Sequence, residues 1–356
     1  MTTAEARPFA AALLLGGLGG YLFFRLHLPL AFLIGAMVAT TAASMAGLRT
    51  AVPARLRDLM VAILGVLLGS GFSPAMIERL DEWALSLAGL LVYVAAAGAA
   101  GMLYLRRVAG QDPVTAYFAA MPGGFSEMVL MGGALGGDER VISLSHSLRI
   151  MLVVMTVPFW FQLTAGTEGP ARDWSLQGLG PGLAELPWTD AALLAACGLA
   201  AFPAKRLGIP AGILVGPMLA SAALHLADVT AGKPPGLLVA AAQIVIGASI
   251  GGRFAGVAIG TVLRAARVAL GLTALLLALT VALAWALHAV TGLPLPALIL
   301  AYAPGGLAEM SLVALALHID PAFVATHHIV RIMLVILLAP AAFRLLRRRW
   351  PGRPVR

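Results

Sequence analysis

The sequence has few charged residues and a single cysteine, and both features limit the kinds of protein that it can be. Only 11% of its 356 residues are charged and 60% are hydrophobic, whereas about a quarter of the residues in soluble domains are charged. The mean hydropathy is +0.94. We therefore exclude an ordinary soluble domain and predict an all-α polytopic membrane protein. The single Cys197 excludes an internal disulfide bond and a metal site with several cysteine ligands, so we expect it to be a small apolar filler.

Common catalytic motifs are also missing. The chain has no His-Glu-x-x-His, no Gly-x-Ser-x-Gly and no P-loop, which argues against an enzyme and against a pump driven directly by ATP. A metal site would have to combine Glu127, His146, Glu309 and His328, and these residues have no diagnostic spacing. We predict a protein that is not an enzyme and that needs neither a cofactor nor a metal.

The net charge of +8 does not indicate nucleic acid as a partner. Six of the 24 basic residues lie in the tail from Arg344 to Arg356, and most others lie in short loops. This distribution is typical of cytoplasmic loops in membrane proteins. The predicted partner is the lipid bilayer, with no direct contact to DNA or RNA.

Apolar runs long enough to cross a bilayer recur along the chain. The first run lacks a small-residue cleavage site, so we expect a retained helix and not a signal peptide. We predict ten crossings, near 8–24, 28–47, 58–76, 83–105, 139–163, 189–204, 210–227, 235–252, 268–290 and 321–343.

The chain is an internal duplication. Residues 122–158 align without gaps to residues 304–340 with 16 identities in 37 positions, where about 2–3 would occur by chance. Residues 25–37 and 63–72 match 206–218 and 245–254 in the same order. We predict a first membrane repeat at 1–163, an extramembrane linker rich in Gly and Pro at 164–188, and a second repeat with a basic cytoplasmic tail at 189–356.

Two Pro-Gly-Gly segments, near 113–136 and 295–318, decide the topology. If each crosses the membrane, the repeats are parallel; if each enters and leaves on one side, the repeats are inverted. The inverted arrangement puts 18 basic residues inside and 4 outside, against 14 and 8 for the parallel one. Because positive charge favours the cytoplasm, we predict two inverted repeats, each with five crossings and one re-entrant hairpin, and both termini in the cytoplasm.

Proline and glycine at the tips interrupt the helix. Proline lacks an N–H group and glycine permits positive φ, so Pro122-Gly123-Gly124 and Pro304-Gly305-Gly306 end one short helix and leave free N–H groups at the next. Such an end attracts anions. For the first segment we predict helices at 113–121 and 125–136, and we expect the two tips to meet from opposite faces around a site.

The candidate site residues lie next to these tips. Glu127 and Glu309 can stabilise the dipole of their own helix, or bind a cation or proton coupled to transport. Ser126 has no hydroxyl counterpart in the second repeat, where Ala308 is equivalent, so an asymmetric solute contact can come from the first. The predicted solute and coupling-ion site consists of Gly123, Gly124, Ser126, Glu127, His146, Arg149, Gly305, Gly306, Glu309, His327, His328 and Arg331.

Histidine and arginine share one helix face in each repeat. His146 lies three residues before Arg149, as His328 does before Arg331, and His327 is an extra neighbour. The arginines can form structural ion pairs with the glutamates or clamp a solute carboxylate. The histidines can relay protons, or they can be hydrogen-bonded core residues.

Two further patterns have a structural explanation. Asp112-Pro113 and Asp320-Pro321 are typical of a helix N-cap followed by proline at the first helical position. Gly65 with Gly69, and Gly247 with Gly251, have GxxxG spacing, which favours close helix packing.

The duplicated Pro-Gly-Gly-x-x-Glu-Met element, followed by Asp and by His-x-x-Arg-Ile-Met-Leu-Val, resembles the bacterial membrane AbrB family. The resemblance covers nearly the whole chain and implies an integral inner-membrane protein with a role in regulating gene expression. Members are also labelled ammonia-monooxygenase-like, a label that no metal constellation in this sequence supports. The soluble DNA-binding regulator of the same name is not similar to this chain.

Together these patterns predict a secondary transporter of a small, anionic organic solute in the bacterial inner membrane. A proton or sodium ion is the expected coupling ion, and a homodimer is the expected assembly. The alternative is a membrane sensor or regulator that acts on gene expression indirectly.

Overall fold

The computed structural model describes residues 3–77, 81–164 and 179–347, and every regular element in these ranges is helical. The predicted all-α class is therefore confirmed for this part of the chain. Most of the linker predicted at 164–188, and the end of the basic tail, lie outside the described residues.

The α-helices are α1 (Thr3–Arg25), α2 (Ala31–Met45), α3 (Ala54–Gly69), α4 (Pro74–Ile77), α5 (Ala84–Arg107), α6 (Pro113–Ala120), α7 (Phe125–Ala134), α8 (Glu139–Thr164), α9 (Trp188–Leu199), α10 (Ala201–Arg206), α11 (Gly212–Leu226), α12 (Gly236–Gly251), α13 (Ile259–Thr291), α14 (Leu295–Tyr302), α15 (Leu307–Ala316) and α16 (Pro321–Arg347).

Six described helices are long and apolar enough to cross a membrane. They correspond to α1, α5, α8, α12, α13 and α16 and support the membrane character of the protein. The other predicted crossings are shorter: α2 and α11 have 15 residues each, or about 22 Å at 1.5 Å per residue. The crossing predicted at 189–204 is divided at Ala200 into α9 and α10.

The chain forms two compact units, and each is interrupted in sequence. The first unit consists of Met1–Leu80, Val154–Val262 and Ala308–Ala322. The second consists of Asp81–Val153, Leu263–Leu307 and Phe323–Arg356. Both Pro-Gly-Gly tips, at 122–124 and 304–306, belong to the second unit.

Glycines bring helices of the two repeats into backbone contact in the first unit. A Cβ atom on Gly247 of α12 would overlap the carbonyl oxygen of Leu33 in α2, and one on Gly65 of α3 would overlap that of Leu214 in α11. Leu33 and Leu214 are equivalent in the two repeats. The predicted close packing at the GxxxG motifs is confirmed, and the same contact occurs twice.

The direction of these helices follows from the second glycine of each motif. A Cβ atom on Gly251, four residues after Gly247, would lie 2.7 Å from the oxygen of Met37, four residues after Leu33. Because residue numbers increase together along both helices, α2 and α12 are parallel. In the same way Gly69 follows Gly65 in α3 and meets Met218 and Ser221 in α11. Helix α3 is therefore parallel to α11.

Backbone conformation also repeats between the two halves. The residue before α2, Leu30, and its equivalent before α11, Ala211, have φ angles of 46° and 52°. Positive φ is uncommon for residues other than glycine. Gly136 and its equivalent His318 also have positive φ, at 90° and 55°. The repeats therefore share local structure at positions where their sequences differ.

The first Pro-Gly-Gly segment is a helical hairpin. Helices α6 and α7 lie close to the predicted ranges, and Gly124 at the break has a φ angle of 61°. The backbone N–H of Asp138, after α7, donates to Thr115 Oγ1 at the start of α6 over 2.8 Å. A Cβ atom on Gly132 of α7 would lie 3.2 Å from Cβ of Phe118 in α6. The two ends of this segment therefore lie next to each other.

Helix caps support these breaks. The Asp112 side chain accepts hydrogen bonds from the N–H groups of Val114 and Thr115, which confirms the predicted cap of α6. Asp320 Oδ1 accepts from the N–H of Ala322 over 3.0 Å at the start of α16.

Cys197 is buried in α9 against Val66 and Leu194, in agreement with a filler role.

Candidate functional site at the Pro-Gly-Gly tips

The first tip packs against the last helix of the second repeat. A Cβ atom on Gly123 would lie 3.7 Å from Val335 and 3.8 Å from Ile332, and one on Gly124 would lie 3.5 Å from Ile336. Helix α16 therefore lines one side of this tip. The residue before Ile332 is Arg331, which binds the second tip.

Arg149 binds the backbone of the first tip. Its side chain is 3% exposed. Nη1 donates to the carbonyl oxygen of Met121 over 2.9 Å, and Nη2 donates to His146 Nδ1 over 3.0 Å. His146 Nε2 lies 2.9 Å from the carbonyl oxygen of Phe118 and must donate to it. His146 is therefore a neutral imidazole that orients Arg149.

Arg331 occupies the equivalent place at the second tip. It is 1% exposed, and its Nη1 donates to the carbonyl oxygen of Ala303 over 2.6 Å. Nη2 donates to the carbonyl oxygen of Gly305 over 3.0 Å. These carbonyl groups follow the last turn of α14, where helix backbone leaves acceptors without intrahelical partners. Each arginine thus caps the broken helix of its own repeat.

The two guanidinium groups lie close enough to act on each other electrostatically, and both act on the ring of Tyr93. Among the residues that the structure describes, no carboxylate lies within 4.0 Å of Arg149 or Arg331. Nε of each arginine is buried and has no hydrogen-bond partner in the same part of the chain. Within the described ranges the arginines therefore have backbone partners and form no ion pair with Glu127 or Glu309.

The glutamates lie in the first turns of α7 and α15, as predicted. Glu127 and Glu309 are half-buried, and Ser126 is exposed. In the described ranges neither glutamate forms an ion pair. Glu309 lies within electrostatic range of Arg253, whose equivalent in the first repeat is Gly71. The two glutamates therefore have different electrostatic surroundings.

The remaining histidines are buried in α16. His327 Nδ1 lies 2.8 Å from the carbonyl oxygen of Phe323, and His328 Nδ1 lies 3.0 Å from that of Val324. His327 Nε2 lies 2.8 Å from Ser86 Oγ. His328 Nε2 forms no hydrogen bond of good geometry among the described residues, although the ring interacts with the backbone of Ala303. Gly306, the last glycine of the second tip, is half-buried.

Sequence reasoning missed the polar groups around His327. The hydroxyl of Tyr302 donates to the carbonyl oxygen of Ser86, and Tyr93 lies against Tyr302 with ring centroids 5.4 Å apart. The Tyr93 hydroxyl lies 3.1 Å from Thr280 Oγ1. Isolated Tyr, Ser and Thr residues in apolar helices form no motif. Tyr302, two residues before Pro304 of the second tip, was the one residue whose place in the sequence could have pointed to this polar cluster.

Space is available beside the first tip. A cavity of about 680 Å³ lies between α5, α6 and α16 and is lined by Gly98, Tyr117, Met121 and Ala339, with other apolar residues around them. The carbonyl group of Met121 is the one that Arg149 binds. No group of three or more metal-ligating side chains occurs within the described ranges.

Comparison with known proteins places the chain in a family. Residues 32–347 match the family described as "Transition state regulatory protein AbrB". The chain is 30% identical to "Uncharacterized protein YhjN" of Bacillus subtilis (strain 168) over 295 residues, which cover 80% of this chain and 77% of that protein. It is 28% identical to "Putative regulator AbrB" of Escherichia coli (strain K12) over 332 residues, which cover 93% and 94%. Because the family match spans most of the sequence, this chain belongs to the AbrB family.

Proposed function

We propose that the protein is a secondary transporter of a small, anionic organic solute across the bacterial inner membrane. The observation that carries the proposal is the pair Arg149 and Arg331, buried at the two broken helices without a carboxylate counter-ion among the described residues. Buried charge is costly unless it is paired. A guanidinium group binds carboxylates well, so a solute carboxylate is the counter-ion that this site lacks.

The proposed transporter has two inverted repeats. The hydrogen bond from Asp138 to Thr115 supports a re-entrant hairpin, because a segment that crossed the bilayer would separate these residues by about 30 Å. Because a re-entrant hairpin enters and leaves on the same side, it does not count as a crossing, and five crossings remain in each repeat. By the duplication, 295–318 folds back in the same way from the opposite side.

Helix direction in the first unit supports inversion independently. Consecutive crossings joined by a short loop are antiparallel, so α2 and α3 point in opposite directions. Because α12 is the equivalent of α3 and is parallel to α2, equivalent helices of the two repeats are antiparallel. Inverted repeats around a site of broken helices are characteristic of secondary transporters. The distribution of basic residues supports a cytoplasmic location of both termini in this proposal.

The glutamates are the proposed cation-linked groups of this transporter. Glu127 and Glu309 are half-buried, carry no ion pair in the described ranges and begin the helices that follow the tips. An intramembrane carboxylate is a candidate for ion or proton binding. Replacement of each by glutamine, tested in proteoliposomes, should change solute flux or its coupling. Unchanged flux and coupling in both variants would remove this role.

Binding and flux of carboxylates test the function itself. Purified protein is screened by thermal shift against small mono- and dicarboxylates, and a stabilising compound is then tested for uptake into proteoliposomes. We expect stabilisation and uptake in the native protein and loss of both in Arg149→Gln and Arg331→Gln. Arg106→Gln, which removes an exposed arginine, is the matched control. Equal stabilisation of all three variants would contradict the proposed site.

A membrane sensor is the second candidate, because one relative is named "Putative regulator AbrB". A sensor would bind the anion at the same arginines and act on gene expression through another protein. It predicts stabilisation by a carboxylate without flux in proteoliposomes, whereas a transporter shows both.

A further inference from the structure

Two buried histidines next to the tips, His146 and His327, differ in what they can do with a proton. His146 donates from Nε2 to Phe118 and accepts at Nδ1 from Arg149. A second proton on its ring would point at the N–H of Arg149. His146 is therefore held in its neutral form by its partners.

His327 can be satisfied in both protonation states. Its Nδ1 must donate to Phe323, because a carbonyl oxygen carries no hydrogen. In the neutral ring Nε2 accepts from the hydroxyl of Ser86. Ser86 Oγ also lies 2.9 Å from the carbonyl oxygen of Trp83, to which it can donate instead. Its oxygen then accepts from a protonated Nε2, so neither state leaves a polar group unpaired.

Aromatic rings surround the same imidazole. The ring centroid of His327 lies 4.1 Å from Phe323, 6.2 Å from Tyr302 and 6.4 Å from Trp83. Of these three rings, Phe323 lies within the about 6 Å at which an aromatic ring attracts a cation. The titratable groups near the ring are the phenol of Tyr302 from a facing helix, with Tyr93 packed against Tyr302, and His328 and Arg331 on its own helix.

We propose, on the basis of the transport function above, that His327 binds a coupling proton at a site separate from Glu127 and Glu309. The proton adds to Nε2, the hydroxyl hydrogen of Ser86 turns from Nε2 to the oxygen of Trp83, and the ring gains one positive charge. The only movement required is rotation of one hydroxyl group.

The position of the site indicates where the proton enters. Exposed Asp81 and Glu82 directly precede Trp83, and Ser86 follows within one helical turn. In the proposed topology this end of α5 faces outward. The equivalent of His327 in the first repeat is Ser145, so the inward side has no such group. The asymmetry assigns proton loading to the outer face.

Nitrogen NMR of the full-length protein in lipid nanodiscs tests this site with protons alone. With ¹⁵N-labelled histidine, acidification should convert the His327 signal from a neutral ring protonated at Nδ1 to an imidazolium while the protein stays folded. The His146 signal should remain that of a neutral ring protonated at Nε2. His327→Asn, which keeps a donor for Phe323, assigns the signal, and exposed His288→Asn should leave that signal in place.

Ser86→Ala gives a second test that removes a single hydroxyl group. Loss of this charge-assisted acceptor should lower the imidazolium fraction of His327 about tenfold at matched acidic pH. The proposal is overturned if His327 stays neutral until the protein unfolds, if His146 is protonated together with it, or if Ser86→Ala has no effect. Protonation of His327 in a protein without carboxylate flux would contradict the transport function and leave the proton site standing.

Discussion

Replacement of Gly247 by alanine should destabilise the protein, because the added methyl group has no room. Its Cβ atom would overlap the carbonyl oxygen of Leu33 and lie 3.1 Å from both Cβ of Ala36 and N of Met37. A carbon–oxygen contact needs about 3.3 Å, so α2 and α12 must separate locally by roughly 1 Å. Overpacking of this kind costs about 1–3 kcal/mol.

Thermal unfolding of the purified protein in detergent, followed by tryptophan fluorescence, measures this effect. Gly17→Ala is the matched control, since a Cβ atom there meets nothing within 4 Å. Alanine is favoured over glycine in a helix by about 1 kcal/mol, so the control should be as stable as the native protein or slightly more stable. Gly65→Ala, the equivalent change in the other repeat, should lower stability like Gly247→Ala. Equal melting temperatures for Gly247→Ala and Gly17→Ala would refute the close backbone contact.

Three other changes test the hairpins and their caps. Asp112→Ala should lower the free energy of unfolding by about 1 kcal/mol because α6 loses its N-cap, while Asp112→Asn keeps the acceptor and most of the stability. Thr115→Val should speed hydrogen exchange at the N–H of Asp138, measured by mass spectrometry, and unchanged exchange would argue against the hairpin contact. Arg331→Met leaves the carbonyl groups of Ala303 and Gly305 without a donor and should cost about 3 kcal/mol in thermal unfolding, with a smaller loss for Arg331→Lys.

Local patterns predicted the breaks and the close contacts well. Pro-Gly-Gly interrupts a helix wherever it occurs, because proline removes an N–H group and Gly124 takes positive φ. The GxxxG spacing likewise predicted backbone approach, since only glycine leaves that space open. These features depend on a few neighbouring residues and are therefore readable in a sequence.

The partners of the arginines could not be predicted. Sequence patterns pair charges with charges, and so they suggested Glu127 and Glu309, or a solute carboxylate, as partners of Arg149 and Arg331. The structure gives both arginines backbone carbonyl groups, which every residue has and no motif marks. The Ser86 contact of His327 was missed for a similar reason, because 241 residues separate them in the chain.

The length of the crossings was predicted less well. Apolar runs predicted crossings at 28–47 and 210–227, whereas the helices found there, α2 and α11, have 15 residues each. Positive φ at Leu30 and Ala211, just before these helices, prevents them from beginning earlier. Such backbone conformations at residues other than glycine have no signal in the sequence.

The side on which each hairpin opens tests the central claim of inverted repeats most directly. Single cysteines at the equivalent positions 136 and 318, in a Cys197→Ser background, are labelled in intact cells with a maleimide that cannot cross the membrane. With inverted repeats, His318→Cys reacts in intact cells and Gly136→Cys reacts only after lysis. Labelling of both cysteines from the same side would contradict the inversion.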